Sequence, residues 1–215
     1  MAVCIVVNGP SAVGKSTLAT AIQDRAIVPI LRFGVDELYR MVPAQWAGGT
    51  PDALHADAGF RYVPDECDPT GRAIVNGPDA VQMLRAMQAG VLGMVRAGHH
   101  VIVDGQGYEP TVNTEFHDAL RAAVHDGYIE ASVIELTAHD PDLIVRQERH
   151  QRPVGLALSQ SRRGPMCPDP DLLLDTTGRS GTAVFDQVWS WLSGRHTVLA
   201  MPAGSGQRLA RMPRT

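Results

Sequence analysis

Residues 9–16 read Gly9-Pro10-Ser11-Ala12-Val13-Gly14-Lys15-Ser16, and this stretch decides the fold. It fits the pattern Gly-x-x-x-x-Gly-Lys-Ser/Thr at every fixed position. Residues 2–7 before it are a continuous apolar run rich in β-branched side chains, which is typical of a strand buried on both faces of a parallel sheet. Residues 14 to about 24 after it have apolar side chains at helical spacing. A strand, a glycine-rich turn and a helix in this order predict a phosphate-binding loop, called the phosphate loop below.

The chemistry of a phosphate loop explains these residue types. Glycines let the backbone curl so that several N–H groups converge on one anion, and the helix N-terminus adds its positive end. Lys15 is expected to reach the β- and γ-phosphates, and the Ser16 hydroxyl is a ligand for Mg²⁺. We therefore expect a nucleotide to contact Gly9, Pro10, Ser11, Ala12, Val13, Gly14, Lys15, Ser16 and Thr17.

Length and composition narrow the class of protein. The 215 residues suit one domain, and a net charge of -4 argues against nucleic-acid and anionic-membrane partners. The N-terminus has no basic signal region, and no stretch approaches the ~18 apolar residues of a membrane span. Three cysteines without a Cys-x-x-Cys pair indicate reduced thiols rather than a disulfide framework or zinc site. We expect a cytoplasmic protein. The sequence is compatible with a monomer and with a homo-oligomer.

Strands alternate with helices along the chain, which favours an α/β fold. We predict a three-layer P-loop NTPase sandwich of the nucleoside-kinase-like type, with a mainly parallel five-stranded sheet, an inserted flap and a lid. The five predicted strands are residues 2–7, 28–33, 100–103, 128–136 and 172–174. The predicted helices are residues 14–24, 36–41, 78–97, 113–124, 142–151 and 183–192.

The remaining segments define the domain organisation. Residues 1–195 are predicted to be a single kinase domain, and residues 196–215 are predicted to be a C-terminal tail that is frayed after about residue 203. The flap (residues 44–77) is rich in Pro, Gly and Asp, with two possible strands at 59–63 and 72–75. The lid (residues 146–165) joins an arginine-rich helix to a segment, 152–170, that we predict to be mobile.

The basic residues separate the classes of phosphate-loop protein. Of 19 Lys and Arg residues, only Lys15 is a lysine. A GTPase reads guanine through an Asn-Lys-x-Asp motif, which needs a second lysine, so a standard GTPase is excluded. A short chain with an arginine-rich helix before a mobile segment fits a small-molecule kinase, in which a lid closes over the phosphates.

Two carboxylates follow predicted strands near the phosphate loop. Asp104 ends the apolar run 101–103, where phosphate-loop enzymes place a metal-binding acid. Asp36 follows the second strand, on the side of the sheet where the loop opens. Asp36 is a candidate for orienting or deprotonating the acceptor hydroxyl, and the N-cap of the following helix is its alternative role.

Three aromatic side chains in the flap, Trp46, Phe60 and Tyr62, have two alternative roles. They either wall an apolar ligand or pin the flap to the core.

Several motifs resemble the chloramphenicol phosphotransferase-like family, in the same order and over most of residues 3–195. Residues 8–16 carry the generic part of the resemblance, and residues 33–38, Phe-Gly-Val-Asp-Glu-Leu, carry the more specific part. The other matching segments are residues 41–43, 101–104, 148–149 with Arg152, 154–155 and 175–177.

The resemblance implies a cytoplasmic kinase that uses ATP and Mg²⁺ to phosphorylate a hydroxyl of an antibiotic. Under it, Asp36 matches the general base, Lys15 and Ser16 match the phosphate and metal contacts, and Arg149 and Arg152 match the lid arginines. Ser16 and Asp104 are then the expected metal ligands. The chain departs from the family at residue 105, where a glycine replaces a second acid, and in residues 44–77, which match poorly.

The sequence therefore predicts an ATP-dependent O-phosphotransferase with a small-molecule alcohol as acceptor. The acceptor is expected to be an antibiotic, chloramphenicol-like or another, so that the reaction gives resistance or self-protection. A metabolic kinase for a sugar, nucleoside or shikimate-like alcohol is the alternative enzyme. A regulator that binds ATP without catalysis is the alternative from another class.

Overall fold

The computed structural model describes residues 1–47, 54–150 and 152–200. Its strands are β1 Ala2–Asn8, β2 Ile30–Gly34, β3 Phe60–Pro64, β4 Arg72–Asn76, β5 His100–Asp104, β6 Ile129–Thr137 and β7 Leu172–Asp175. Five of them pair in the order β2-β5-β1-β6-β7, and every pairing in this sheet is parallel. The predicted five-stranded parallel sheet is confirmed.

The central strand β1 positions the phosphate loop. All seven of its residues are buried, because β5 and β6 flank it and helices cover both faces of the sheet. In the register of the sheet, Val7 lies opposite Asp104 and Asn8 lies opposite Glu135. The carboxyl ends of the three central strands therefore meet where β1 enters the loop, which is where ligands bind in open parallel sheets.

Helices form the outer two layers. The helices of the described ranges are α1 Lys15–Arg25, α2 Val35–Met41, α3 Pro78–Arg96, α4 Pro110–His125, α5 Asp140–Arg149, α6 Leu156–Arg162 and α7 Gly181–Arg195. Residues of α1 and α7 share one core cluster with Ile5 and Ile102, whereas α3 and α4 share another with Val6 and Val101. The three-layer α/β fold is thus confirmed. No helix in the described ranges combines the length and apolar character needed to cross a membrane.

The flap is an antiparallel hairpin of β3 and β4, as the sequence predicts, although its residues 48–53 lie outside the described ranges. Two of its three aromatic residues pin it to the core. Phe60 is buried and meets the Tyr39 ring edge-on at 4.8 Å, and Trp46 packs against the same cluster. Of the three, Tyr62 lines the cavity beside the phosphate loop, and the linings of the two cavities given below do not include Trp46 or Phe60.

The lid contains a helix that we did not predict. α6 lies within the segment 152–170, which is rich in Ser, Arg and Gly, and its seven residues are too few for a clear apolar period. Burial of Leu156 and Ala157 stabilises this helix, although its sequence alone has only a weak preference for helix. The side chain of Gln147 also accepts a hydrogen bond from the Ala157 N–H at 2.8 Å.

The lid packs directly on the flap. The Arg72 N–H donates to the Val154 carbonyl at 2.9 Å, and the Arg162 guanidinium donates to Asp65 at 2.8 Å. Backbones approach closely here, since a Cβ on Gly155 would lie 2.5 Å from the Cα of Gly71. The lid and the flap together form a roof over the end of the sheet that holds the phosphate loop.

The first part of the predicted tail packs on the core. His196 and Leu199 are buried, and residues 201–215 lie outside the described ranges. The His196 ring bonds Ser132 at 2.8 Å and Glu130 at 2.6 Å. Ser132 has no exposed surface, so this Ser–His–Glu arrangement fastens the chain end to β6 and offers no nucleophile to a substrate.

Candidate active site

The phosphate loop has the backbone shape that anion binding requires. Gly9 has φ 134° and Gly14 has φ 111°, which are conformations that side chains with a Cβ rarely adopt. A Cβ on Gly9 would also lie 2.3 Å from the Leu136 carbonyl oxygen. α1 starts at Lys15, so the N–H groups of its first turn lack helical acceptors and point towards the loop.

Lys15 lies at the centre of the site. Its ammonium donates to the carbonyl oxygens of Gly9 at 2.9 Å and Pro10 at 2.8 Å. Burial lowers the pKa of Lys15 to about 8, and the nearby carboxylates of Asp104 and Asp36 oppose this effect. The side-chain nitrogen of Lys15 is therefore held against the phosphate loop. The carboxylates of Asp36 and Asp104, which act on its charge, line the same cavity.

Gly105 explains one departure from the family pattern. It has φ 79°, and a Cβ there would lie 3.0 Å from the Cε of Lys15. The glycine leaves room for the lysine stem, and a larger residue at this position would press against it.

Asp104 is fixed by an arginine that the sequence did not single out. The Arg32 guanidinium donates to Asp104 Oδ2 from Nε at 3.0 Å and from Nη2 at 2.5 Å. Asp104 Oδ1 is buried and has no hydrogen-bond partner among the described residues. Asp104 lines the same cavity as Ser16. A carboxylate oxygen without a donor, beside a hydroxyl and a phosphate loop, fits a Mg²⁺ ion.

Asp36 faces the cavity instead of capping its helix. α2 begins at Val35, and its N-cap is the extended Gly34, where a Cβ would lie 2.2 Å from the Asp104 carbonyl oxygen. Asp36 therefore falls in the first turn, and its carboxylate lies 3.5 Å from the guanidinium of Arg152. The expectation that Asp36 caps the helix is wrong, because only glycine fits where β2 meets β5.

The arginines of the lid divide into two groups. Arg152 lines the cavity that holds Lys15 and Asp36, and Arg163 lines it from the end of α6. Arg149 is exposed and lines neither of the two cavities described below. Arg146 of α5 and His150, the C-cap of that helix one turn later, line the second of these cavities beside the phosphate loop. The structure thus leaves Arg149 outside the site and brings in Arg146, which the sequence analysis did not select.

Two cavities border the phosphate loop. The first cavity has a volume of about 250 Å³ and is lined by Lys15, Ser16, Asp36, Tyr62, Asp104 and Arg152, among others. The second cavity has a volume of about 220 Å³ and is lined by Thr17, Leu18, Arg146, Thr176, Arg179 and Gly181, among others. The phosphate loop lies between the two cavities, since Ala12, Gly14 and Thr17 line both of them.

Arg146 builds the wall of the second cavity. Its guanidinium donates to the Val13 carbonyl at 3.3 Å, to the Thr176 hydroxyl at 2.9 Å and to the Thr176 carbonyl at 2.7 Å. The loop that follows β7 is thereby tied to the phosphate loop. A planar guanidinium held in this way offers a flat, cationic surface to a ligand.

Comparisons with known proteins identify the family. A model of the chloramphenicol phosphotransferase-like proteins matches residues 2–183. The chain therefore belongs to this family, and it is a small-molecule phosphotransferase. No curated protein sequence matches the chain.

Solved structures share the fold at low sequence identity. A tunicamycin resistance protein of Deinococcus radiodurans is 20% identical, with a TM-score of 0.54 over 94% of this chain and 100% of that one. A sugar kinase of Janibacter sp. HTCC2649 is 16% identical, with a TM-score of 0.57 over 94% and 100%. An APS kinase of Mycobacterium tuberculosis, solved with AMPPNP and APS, is 18% identical, with a TM-score of 0.54 over 89% and 98%. The likeness to these kinases supports the phosphate-loop kinase fold.

Proposed function

We propose that this member of the chloramphenicol phosphotransferase-like family transfers the γ-phosphoryl group of ATP to a hydroxyl of a small natural product of the antibiotic type. The observation that carries the proposal is the first cavity, in which Lys15 and Ser16, Asp36 and Arg152 line one space. This places phosphate binding, a carboxylate and a cation around one cavity of about 250 Å³. Because ATP is the donor, we place the reaction in the cytoplasm.

The two cavities have separate roles in this proposal. The nucleoside end of ATP occupies the second cavity against Arg146, and its phosphates lie on the phosphate loop, residues 9–17. The acceptor occupies the first cavity under the lid and the flap. Its hydroxyl then approaches the γ-phosphate from the side of Asp36, opposite the leaving ADP.

The residues of the chain contribute to transfer in distinct ways. Asp36 takes the proton of the acceptor hydroxyl while the oxygen of that hydroxyl bonds to the γ-phosphorus of ATP. At the same time the bond between the γ-phosphorus and the bridging oxygen of the β-phosphate breaks, and ADP leaves. Lys15 and Arg152 hold the charge on the transferring group. Ser16 and Asp104 would hold Mg²⁺, which neutralises charge on the phosphate oxygens when it is bound. Arg149, exposed and outside both cavities, has no part in this scheme.

The acceptor class distinguishes the proposal from a second candidate. The fold likeness to a sugar kinase and an APS kinase favours a metabolic alcohol as the alternative acceptor. Both candidates use the same transfer chemistry, so only the acceptor separates them.

An acceptor screen with ADP release as the readout tests the proposal. The purified chain with ATP and Mg²⁺ is offered chloramphenicol, tunicamycin, shikimate, D-gluconate, a nucleoside or adenosine 5′-phosphosulfate. We expect ADP release to rise with an antibiotic, and Lys15→Ala to abolish the rise. Arg25→Ala, at the exposed far end of α1, is the control and should retain it. Stimulation by a metabolic alcohol alone would overturn the antibiotic assignment, and no stimulation by any acceptor would overturn the kinase proposal.

A further inference from the structure

Four polar side chains lie beneath the first cavity, beside the machinery described above. Asn8 ends β1, Glu135 lies opposite it in β6, and Gln106 and Tyr108 follow β5. Asn8, Gln106 and Glu135 are 0%, 2% and 1% exposed. Polar groups so deeply buried normally have hydrogen-bond partners for every atom.

Within residues 1–47, 54–150 and 152–200, each of these side chains has one buried polar atom without a hydrogen-bond partner. The unpartnered atoms are Asn8 Oδ1, Gln106 Nε2, Tyr108 Oη and Glu135 Oε2. Two of them, on Gln106 and Tyr108, are donors, and the other two are acceptors. Leaving such atoms unpaired costs free energy in the folded protein. A polar ligand that bonded to them would recover this free energy.

The other polar atoms of the cluster are held firmly. The Oε1 of Gln106 accepts from Asn8 Nδ2 and from His117 Nε2, both at 2.9 Å. Burial lowers the pKa of His117 to about 4, so its ring is neutral at physiological pH. Glu135 Oε1 accepts from the Met166 N–H at 3.3 Å. These bonds fix the side chains, and the unpaired atoms are consequently in set positions.

Gln106 and Tyr108 of this cluster line the first cavity, and Asn8, bonded to Gln106, and Glu135, opposite Asn8, lie behind this lining. Gln106, Tyr108 and Met166 all line that cavity together with Lys15. Burial raises the pKa of Glu135, and the charge of Lys15 opposes this; burial also raises the pKa of Tyr108, and the charge of Glu135 adds to it. Geometry places the carboxylate beside this lining, because Glu135 accepts from the N–H of Met166 and lies opposite Asn8 in the sheet.

We propose that Asn8, Gln106, Tyr108 and Glu135 form a polar subsite that binds a second hydroxyl of the acceptor, distinct from the hydroxyl that is phosphorylated. A hydroxyl both accepts and donates, so it can take a hydrogen bond from Tyr108 or Gln106 and give one to Glu135 or Asn8. This inference rests on the proposed function. It defines the substrate class as alcohols with at least two hydroxyls and excludes alcohols with only one.

Selectivity follows from the burial of the subsite. A substrate without the second hydroxyl leaves the buried donors and acceptors unpaired, and sites of this kind reject such analogues strongly. A purely structural cluster would behave differently, because removing a structural hydrogen bond lowers stability. Removing an atom that has no hydrogen-bond partner among the described residues should leave the stability of the free protein unchanged.

The test compares Tyr108→Phe and Glu135→Gln with the wild-type chain. Tyr128→Phe, which alters a tyrosine that is 70% exposed, is the matched control. ADP release is measured with the best acceptor of the screen and with its derivative in which the second hydroxyl is replaced by hydrogen. We expect the KM for the acceptor to rise at least about tenfold in both variants. The KM for ATP should not change, and the preference for the hydroxylated acceptor should largely disappear.

The outcomes separate the two proposals. If the wild-type chain shows no acceptor-stimulated ADP release, the proposed function and this inference both fail. If it shows release, and both variants keep the wild-type KM and preference, the subsite alone is refuted. Urea unfolding of each variant checks the fold, and Tyr108→Phe decides the matter if Glu135→Gln does not fold.

Discussion

Replacing Asp36 by Asn tests the proposed mechanism most directly, because it removes one charge and keeps the size of the side chain. The ion pair with Arg152 is 3.5 Å long, and the two side chains are 48% (Arg152) and 42% (Asp36) exposed. Losing such a pair changes stability by at most about 1 kcal/mol. Losing a general base slows turnover by roughly 10²–10⁴-fold, which is about 3–5 kcal/mol of activation free energy. The effect on catalysis should therefore exceed the effect on folding several times.

The assay for Asp36→Asn is acceptor-stimulated ADP release at saturating ATP, together with urea unfolding of the same preparation. The matched control is Asp118→Asn, which breaks an exposed pair with Arg121 far from the loop. The control should keep wild-type turnover. If Asp36→Asn retains turnover within tenfold of the wild type, Asp36 is not the general base and serves only to place Arg152.

Three further outcomes follow from the structure. Arg152→Ala should lower kcat/KM by about 10²-fold or more, since lid arginines stabilise the transferring charge. Arg149→Ala should keep kcat/KM within about twofold of the wild type. Equal effects of the two substitutions in kinetic assays would contradict the division of the lid arginines. Gly155→Ala should lower stability more than Gly164→Ala in urea unfolding: both glycines have positive φ, but only the first has flap backbone within reach of a new Cβ. Burial raises the pKa of Glu135 to about 7 from 4.5; the charged form therefore destabilises the fold above pH 7, and this penalty disappears as the pH falls towards 4.5. Glu135→Gln should accordingly be more stable than wild type by on the order of 3 kcal/mol at pH 8, and a gain that failed to shrink in urea unfolding at pH 5 would refute this explanation.

The fold could be predicted from the sequence because two strong local signals agree. The phosphate loop requires a strand before it and a helix after it, and the uninterrupted apolar run of β1 fits only a strand covered on both faces. Once the alternation of strands and helices is recognised, the handedness of parallel connections leaves few topologies. Even the hairpin of the flap is signalled by turn residues.

The details of the candidate site could be predicted less well, because they depend on contacts between distant segments. Arg149 and Arg152 are equivalent in the sequence, and only the course of the chain after α5 separates them. Arg32 approaches Asp104 through the pairing of β2 with β5. Glu135 lies within β6, whose sequence is typical of a buried strand. No local sequence pattern predicts that one of its carboxylate oxygens has no hydrogen-bond partner among the described residues.

The departure at Gly105 shows how a resemblance can mislead at one residue. A second acid would be expected there from the family, yet the structure fills that space with the stem of Lys15. The buried acids whose charge acts on the lysine are instead Asp104, at the end of β5, and Glu135, on β6, which β1 separates from β5. Charge at a site is set by its surroundings in three dimensions, and one aligned position does not determine it.

The single lysine has a consequence for chemical modification. Apart from the chain terminus, the protein has one primary amine, and burial lowers its pKa to about 8. Near neutral pH a larger share of it is therefore unprotonated than for an ordinary lysine. An acylating reagent that reached this amine would inactivate the protein in a single hit, and bound nucleotide would shield it. Labelling at Lys15, told apart from labelling of the chain terminus by peptide mapping, would then report the fraction of empty sites.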